Sequence, residues 1–271
     1  MVSFSFWAEP ENPARRRLRR AKPDPDREPM TEILRLDAVS KAYGAVTVAD
    51  CQSWSLTSGE ALGVIGPNGA GKTSMFNLVT GTALPTSGRI IINGQDVTQW
   101  PAARRCRLGV ARSFQVPQPF GGMTVFENAM VAATQAAGLS GRAAEALCLN
   151  ILDQTGLLHR ANTLAKGLTL LERKRLELTR ALCAQPKLLL LDEIAGGLTD
   201  SECVSLVQTI RDIRETGVSI VWIEHVVHAL LAVVDRLIVI DFGKKIADGP
   251  PQEIMNSREV REIYLGIEAD A

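Results

Sequence analysis

The chain has no surplus of charge: its 271 residues hold 30 Lys and Arg against 30 Asp and Glu, a formal net charge of zero. A general nucleic-acid binder would carry a basic excess, so that class of partner is excluded. Long apolar runs are also missing. Stretches such as Leu188–Leu191 and Leu237–Ile240 fall far short of the ~18–20 residues that span a bilayer. The five cysteines (Cys51, Cys106, Cys148, Cys183, Cys203) are scattered, without a CxxC pair. They form neither a disulfide framework nor a zinc site and are expected to be reduced thiols. A secretory signal is absent as well, because the apolar patch Phe4–Trp7 precedes Arg15–Arg20 instead of following them.

What is present is 46% apolar residues, ample for a core and against disorder of the whole chain. Residues 1–29 hold seven positive and five negative charges, which leaves 23 positive and 25 negative in the remainder. The zero is therefore a weakly acidic body carrying a basic tail. The segment from Ala21 to Pro29 is polar and proline-rich and cannot pack a core, so residues 1–29 are expected to be a disordered tail. Met30 stands directly before the first strand-like segment, as an alternative start would.

From Met30 the pattern is βα. Glu32–Asp37 alternates like a strand with one wet face, and Gly88–Gly94 reads as a strand and turn. Ala61–Ile65, Lys187–Leu191, Val218–Ile223 and Leu237–Ile240 are continuous and apolar, as parallel strands covered on both faces are. Residues 122–184 differ, with helical patterns and no convincing strand. Thr124 with Glu127, and Thr169 with Glu172, have capping-box spacing and predict helix starts. No internal repeat is visible.

Gly66, Pro67, Asn68, Gly69, Ala70, Gly71, Lys72 and Thr73 fit GxxxxGK[ST]. The run follows a buried strand and precedes a helix-like segment from Ser74 to Val79, which is the context a phosphate-binding loop requires. Glycines let backbone N–H groups converge on phosphate oxygens, and the helix N-terminus adds partial positive charge. Lys72 is expected at the β- and γ-phosphates and Thr73 on Mg²⁺. Such a loop needs a second carboxylate strand. Leu188–Leu191 followed by Asp192 and Glu193 supplies it: Asp192 to hold Mg²⁺, Glu193 to polarise the attacking water.

Together these residues resemble the ATP-binding cassette (ABC) ATPases, over about Thr31 to Gly266. The resemblance implies an α/β fold: a P-loop (RecA-like) core with a mostly parallel sheet, an N-terminal antiparallel β subdomain and an inserted helical subdomain at about 118–184. The cassette itself would occupy 30–271. Further segments match in order. Ser40-Lys-Ala-Tyr43-Gly44 resembles the segment whose aromatic, here Tyr43, stacks on adenine. Ala111-Arg-Ser-Phe-Gln115 resembles the Q-loop, whose glutamine contacts Mg²⁺ and links to the transmembrane partner. Trp222-Ile-Glu-His225 resembles the switch strand, with His225 sensing the γ-phosphate. His159 and His228 are expected to be structural. Ile194 replaces a common proline, and Thr199 stands where the family's D-loop has aspartate.

The signature segment departs most. The family's Leu-Ser-Gly-Gly-Gln reads here Leu168, Thr169, Leu170, Leu171, Glu172. In the family this loop presses backbone N–H groups onto the γ-phosphate held by the opposite subunit, and side chains at Leu170 and Leu171 crowd that approach. Either the site it completes is degenerate, or the leucines point away and the backbone still reaches. The resemblance implies ATP and Mg²⁺ as cofactors. It implies as partners a second cassette subunit in a heterodimer or homodimer, separate permease subunits and, indirectly, a substrate-binding protein. It places the chain on the cytoplasmic face of the plasma membrane. Gly121–Asn128 and Asp248 to Gly266 look like the branched-chain amino-acid importer ATPases. A mainly regulatory subunit, or a cassette working without a permease, are the alternatives.

Overall fold

The computed structural model describes residues 31–265. The basic tail 1–29 and Gly266 lie outside the described residues. Two sheets organise the chain. The first is antiparallel: β1 (Glu32–Tyr43), β2 (Val46–Thr57), β4 (Ser87–Ile92) and β5 (Gln95–Asp96), in the order β2-β1-β4-β5. The second contains β3 (Ala61–Ile65), β6 (Val110–Arg112), β7 (Leu188–Asp192), β8 (Ser219–Ile223), β9 (Arg236–Asp241) and β10 (Lys244–Gly249), in the order β10-β9-β3-β8-β7-β6. All neighbours in it are parallel except β10 against β9.

Every residue of β3, β7 and β8 is buried, which accounts for their unbroken apolar composition. The faces divide by parity. Leu188 and Leu190 join a core with Phe76, Ile90 and Trp54 beneath the antiparallel sheet. Leu189 and Leu191 join the core under the helices, with Leu178, Leu206 and Trp222. Alternation alone does not mark β2. Bulges interrupt its pairing with β1, and Ala38 and Cys51 take positive φ (49° and 47°), so its period-2 pattern is broken.

The helices are α1 (Lys72–Thr80), α2 (Ala102–Arg107), α3 (Val125–Gln135), α4 (Gly141–Gln154), α5 (Leu170–Cys183), α6 (Asp200–Glu215), α7 (Val227–Leu231), α8 (Pro251–Asn256) and α9 (Arg258–Leu265). The inserted segment is helical as expected: α3, α4 and α5 pack on one another around Val125, Leu152, Leu157, Leu168 and Leu176. Both anticipated capping boxes form, at Thr124/Glu127 and Thr169/Glu172. A third, Thr199/Glu202, opens α6.

Arg105 of α2 is fully buried, and among the described residues no carboxylate pairs with it. Its guanidinium donates to the carbonyls of Leu78 (2.6 Å), Val79 (3.0 Å), Thr98 (3.0 Å) and Trp100 (3.0 Å). Leu78 and Val79 lie in the last turn of α1, where unpaired carbonyls and the helix dipole both favour a cation. Burial pushes the Arg105 guanidinium down to about 10. Gly81 makes room for it, since a Cβ there would stand 2.7 Å from Nε. Arg105→Met leaves these carbonyls unpaired. It is expected to lower stability by about 3 kcal/mol in urea unfolding, and a change within 0.5 kcal/mol of zero would show that water replaces the guanidinium (roughly the scatter of a neutral surface change).

Candidate functional site

The candidate site forms at the carboxyl ends of adjacent parallel strands, where open α/β sheets bind their ligands. The loop after β3 carries Gly66–Gly71, Asp192 ends β7 with Glu193 next, His225 follows β8, and Gln115 follows β6. An open cleft of about 600 Å³ there is lined by Val48, Asn68 to Ser74, Gln115, Glu193 and His225.

Two glycines hold the phosphate loop close to both sheets. At Gly66 (φ +155°) a Cβ would lie 2.0 Å from the Ile240 carbonyl of β9. At Gly71 (φ +99°) it would lie 2.1 Å from the Val48 carbonyl of β2. No side chain fits either place. The Ala70 carbonyl accepts from Gly243 N–H at 2.9 Å, which fastens the loop to the β9–β10 turn. Lys72 opens α1 and is buried; its Nζ donates to the carbonyls of Gly66 (2.7 Å) and Pro67 (2.8 Å). Burial pulls its pKa down, and the negative charges of Glu193 and Asp192 oppose this. Tyr43 ends β1, is half exposed, and lies under the Lys41 ammonium at 4.8 Å. Its strand partner is Val46, two residues from cleft-lining Val48.

Glu193 is the meeting point. Its Oε2 accepts from Gln115 Nε2 at 2.6 Å, and its Oε1 lies 3.1 Å from His225 Nε2. The residue has φ +46°, a conformation that a non-glycine residue adopts under constraint. Its N–H donates to the Ile223 carbonyl of β8 (2.9 Å). Gln115 meets Glu193 through its amide nitrogen; its amide oxygen is the atom expected at the metal. His228 lies on α7 and His159 in a short 3₁₀ turn, and neither lines the cleft.

Asp192 is expected to hold Mg²⁺ and is the last residue of β7. It is buried (1% exposed), with Oδ2 accepting from Arg112 Nη2 at 2.5 Å. Burial pushes its carboxyl upward, against the pull of Arg112. Asp192 Oδ1 is buried with no hydrogen-bond partner. That orphaned oxygen is a hard donor of the kind a magnesium ion takes, and the cleft-lining Thr73 and Gln115 carry oxygens of the same kind.

The signature segment stands apart from this chain's own cleft. Leu168 is buried, Thr169 caps α5, and Glu172 closes the capping box while pairing with Arg160 at 2.8 Å. Leu170 and Leu171 are the first helical residues of α5. Leu170 is half exposed, and its Cδ2 reaches to 3.5 Å from where a Cβ on Gly197 would stand.

Three charged residues escape a motif search. Arg112 joins Asp192 to Asn77 (Nη1 to Oδ1, 2.7 Å), and its guanidinium lies 5.5 Å and 5.1 Å from the ring centres of Phe76 and Phe114. Lys174 and Glu224 are both buried, 4% and 1% exposed. The available signal is a charge inside an apolar segment, as in Val110-Ala-Arg112 and Ile220-Val-Trp-Ile-Glu224. A charge buried there must be answered by a partner.

Comparison with known proteins bears on the whole chain. The ABC transporter family matches residues 50–196. A family of branched-chain amino acid ATP-binding cassette transporters matches residues 244–270. The high-affinity branched-chain amino acid transport ATP-binding protein LivG of Escherichia coli is 34% identical over 249 residues, 86% of this chain and 98% of that protein. The lipopolysaccharide export system ATP-binding protein LptB of Haemophilus influenzae is 32% identical over 234 residues, 86% of this chain and 97% of that protein. A crystal structure of a nucleotide-free ATP-binding cassette from an ABC transporter superposes with TM-score 0.80 at 28% identity, covering 87% of this chain and all of that one. A cassette solved in its ADP conformation gives TM-score 0.79 at 27% identity, with 87% and 99% coverage.

The Arg112–Asp192 pair yields a stability test. Arg112→Ala strips a buried carboxylate of its counter-charge and is expected to cost about 3–5 kcal/mol in urea unfolding. Adding Asp192→Asn should recover part of the loss; strictly additive losses would show that the two groups are independent.

Proposed function

The chain belongs to the ABC transporter family of ATP-hydrolysing cassettes, and from that premise we propose that its cleft binds ATP with magnesium and that Glu193 carries the hydrolysis. The observation behind this is the convergence of Gln115 and His225 on Glu193 at the rim of the phosphate loop. Tyr43 stacks on the adenine. Lys72 exchanges its two loop carbonyls for β- and γ-phosphate oxygens, while N–H groups from Gly69 to Ser74 receive the remaining charge. Thr73, Gln115 and Asp192 would hold a magnesium ion, which would neutralise charge on those phosphates. Glu193 orients the attacking water and takes its proton on a carboxylate oxygen. His225, within hydrogen-bond reach of Glu193, completes the water's surroundings on the side of the γ-phosphate.

Leu168–Glu172 serve the nucleotide of a second cassette subunit. The intact capping box supports a formed N-terminus on α5, and the lean of Leu170 toward Gly197 leaves backbone N–H groups for that task. The altered signature is read as a working site, with a different cassette subunit as partner. Among the described residues no helix is long and apolar enough to cross a membrane, and the chain works at the cytoplasmic face on separate permease subunits. The seat is an apolar groove of about 310 Å³ between α2, α3 and α5, lined by Phe114, Val131, Ala136 and Ala181 with Arg112 and Arg180. The cargo is a branched-chain or related amino acid delivered by a binding protein. The match of residues 244–270 and the likeness to LivG support this. The comparable likeness to LptB supports export of a lipid-linked substrate as the second reading.

Lys72→Ala is expected to weaken ATP binding, measured by equilibrium titration. Glu193→Gln is expected to leave binding intact and slow single-turnover hydrolysis by about 10²–10⁴-fold, because only the water's base is lost. Unchanged hydrolysis in a complex carrying Glu193→Gln at every site would remove Glu193 from its role. For the cargo, proteoliposomes of the complete transporter should hydrolyse ATP faster with leucine-loaded binding protein. Stimulation by a lipid substrate instead, with none by amino acids, would favour the export reading.

A further inference from the structure

Between the ends of β7 and β8 lies a carboxylate that the hydrolytic scheme does not use. Glu224 is 1% exposed and accepts four hydrogen bonds. Its Oε2 receives Ala195 N–H at 2.9 Å and Trp222 Nε1–H at 3.3 Å. Its Oε1 receives the N–H groups of His225 at 3.0 Å and Val226 at 3.4 Å. One side chain therefore spans two loops. Ala195 lies two residues after Glu193; His225 is the histidine that faces it. Burial pushes the Glu224 carboxyl upward and these four donors pull it back.

A second buried charge approaches from the other side. Lys174 of α5 donates from Nζ to the backbone carbonyl of Glu193 at 3.3 Å. Its ammonium also feels the negative charges of Glu224 and Glu193, which oppose the downward pull of burial. Glu193 is thus held at its N–H by Ile223, at its carbonyl by Lys174, and through Ala195 by Glu224. Its positive φ needs such multiple anchoring. Lys174 sits five residues after Thr169, the N-cap of the helix that carries the signature segment.

We propose that Glu224 and Lys174 are positioning residues for hydrolysis. Together they set the Glu193–His225 spacing and tie it to the helix whose start faces the other subunit's nucleotide. The proposal rests on the roles given above to Glu193 and His225. Neither group touches the nucleotide: they act through the two loops, so they bear on the chemical step and leave ground-state binding alone. The tie also runs across the subunit. A shift of the α5 N-terminus, when it meets or leaves the partner's nucleotide, reaches this chain's own Glu193 carbonyl through one side chain.

The test is single-turnover hydrolysis and ATP affinity, measured on the full chain in its assembled transporter. Glu224→Gln keeps the shape but puts an amide donor against N–H donors. It is expected to lower the hydrolysis rate about 10–100-fold, as displacement of catalytic groups does, with ATP affinity within about twofold. Lys174→Met should do the same and Lys174→Arg should restore most of the rate. The double variant Lys174→Met/Glu224→Gln should be no slower than the slower single, since both act on one geometry. If Glu224→Gln does not fold, the two Lys174 variants carry the test. A normal rate for Glu224→Gln beside an inactive Glu193→Gln overturns the pairing alone. Rate and affinity falling together, or losses that multiply in the double variant, overturn it too. Normal turnover by Glu193→Gln overturns the role of that carboxylate and the pair with it.

Discussion

Parallel pairing of β3, β8 and β7 is the constraint on which the site depends. The register sets Val64 beside Ile223, and Ile223 beside Asp192. Three strands therefore stop at one level, and each must turn there. The turn after β3 is the phosphate loop, that after β7 presents Glu193, and that after β8 presents His225. None of these residues is near another in sequence. The same backbone bonds that bury Leu188–Leu191 and Ser219–Ile223 bring a carboxylate and an imidazole within 3.1 Å.

Several charges are buried behind these strand ends or deeper in the fold, and each is answered by fixed partners. Arg112 answers Asp192, Lys174 donates to the Glu193 carbonyl, Glu224 collects four N–H donors, and, at the far end of α1, Arg105 takes four carbonyls. Each bond contributes modestly to stability, yet each fixes a direction that a layer of apolar contacts leaves free. This is a division of labour. Apolar burial sets which strands adjoin, and buried polar groups set how their ends are turned.

Much of this was legible beforehand. Continuous apolar runs marked β3, β7, β8 and β9, and hydroxyl-to-glutamate spacings marked the starts of α3 and α5. The phosphate loop was readable because its chemistry demands glycine where backbone presses on backbone, at Gly66 and Gly71. Other features were hidden for physical reasons. Bulges and polar residues in β2 erase its alternation. The partners of Asp192 and Glu193 come from residues 80 and 19 positions away, and pairings at that separation leave no local pattern. Arg112 and Glu224 stand out as charges in apolar segments, whereas Lys174 is hidden among the charged residues Glu172, Arg173 and Arg175. What each one meets is a property of the folded chain.

Arg112 belongs to two places at once. It is part of the wall of the groove beneath α3 and the partner of Asp192 at the end of β7. It is also shared between Phe76, Asn77 and Phe114. A substitution at one of these residues is therefore felt at the others. A change in the groove that displaces the guanidinium uncovers a buried carboxylate, and a change at residue 192 leaves a cation under the groove floor. Residues 76, 77, 112, 114 and 192 are therefore coupled through one guanidinium. The fit to whatever binds in the groove is then revised only along paths that keep Asp192 in place.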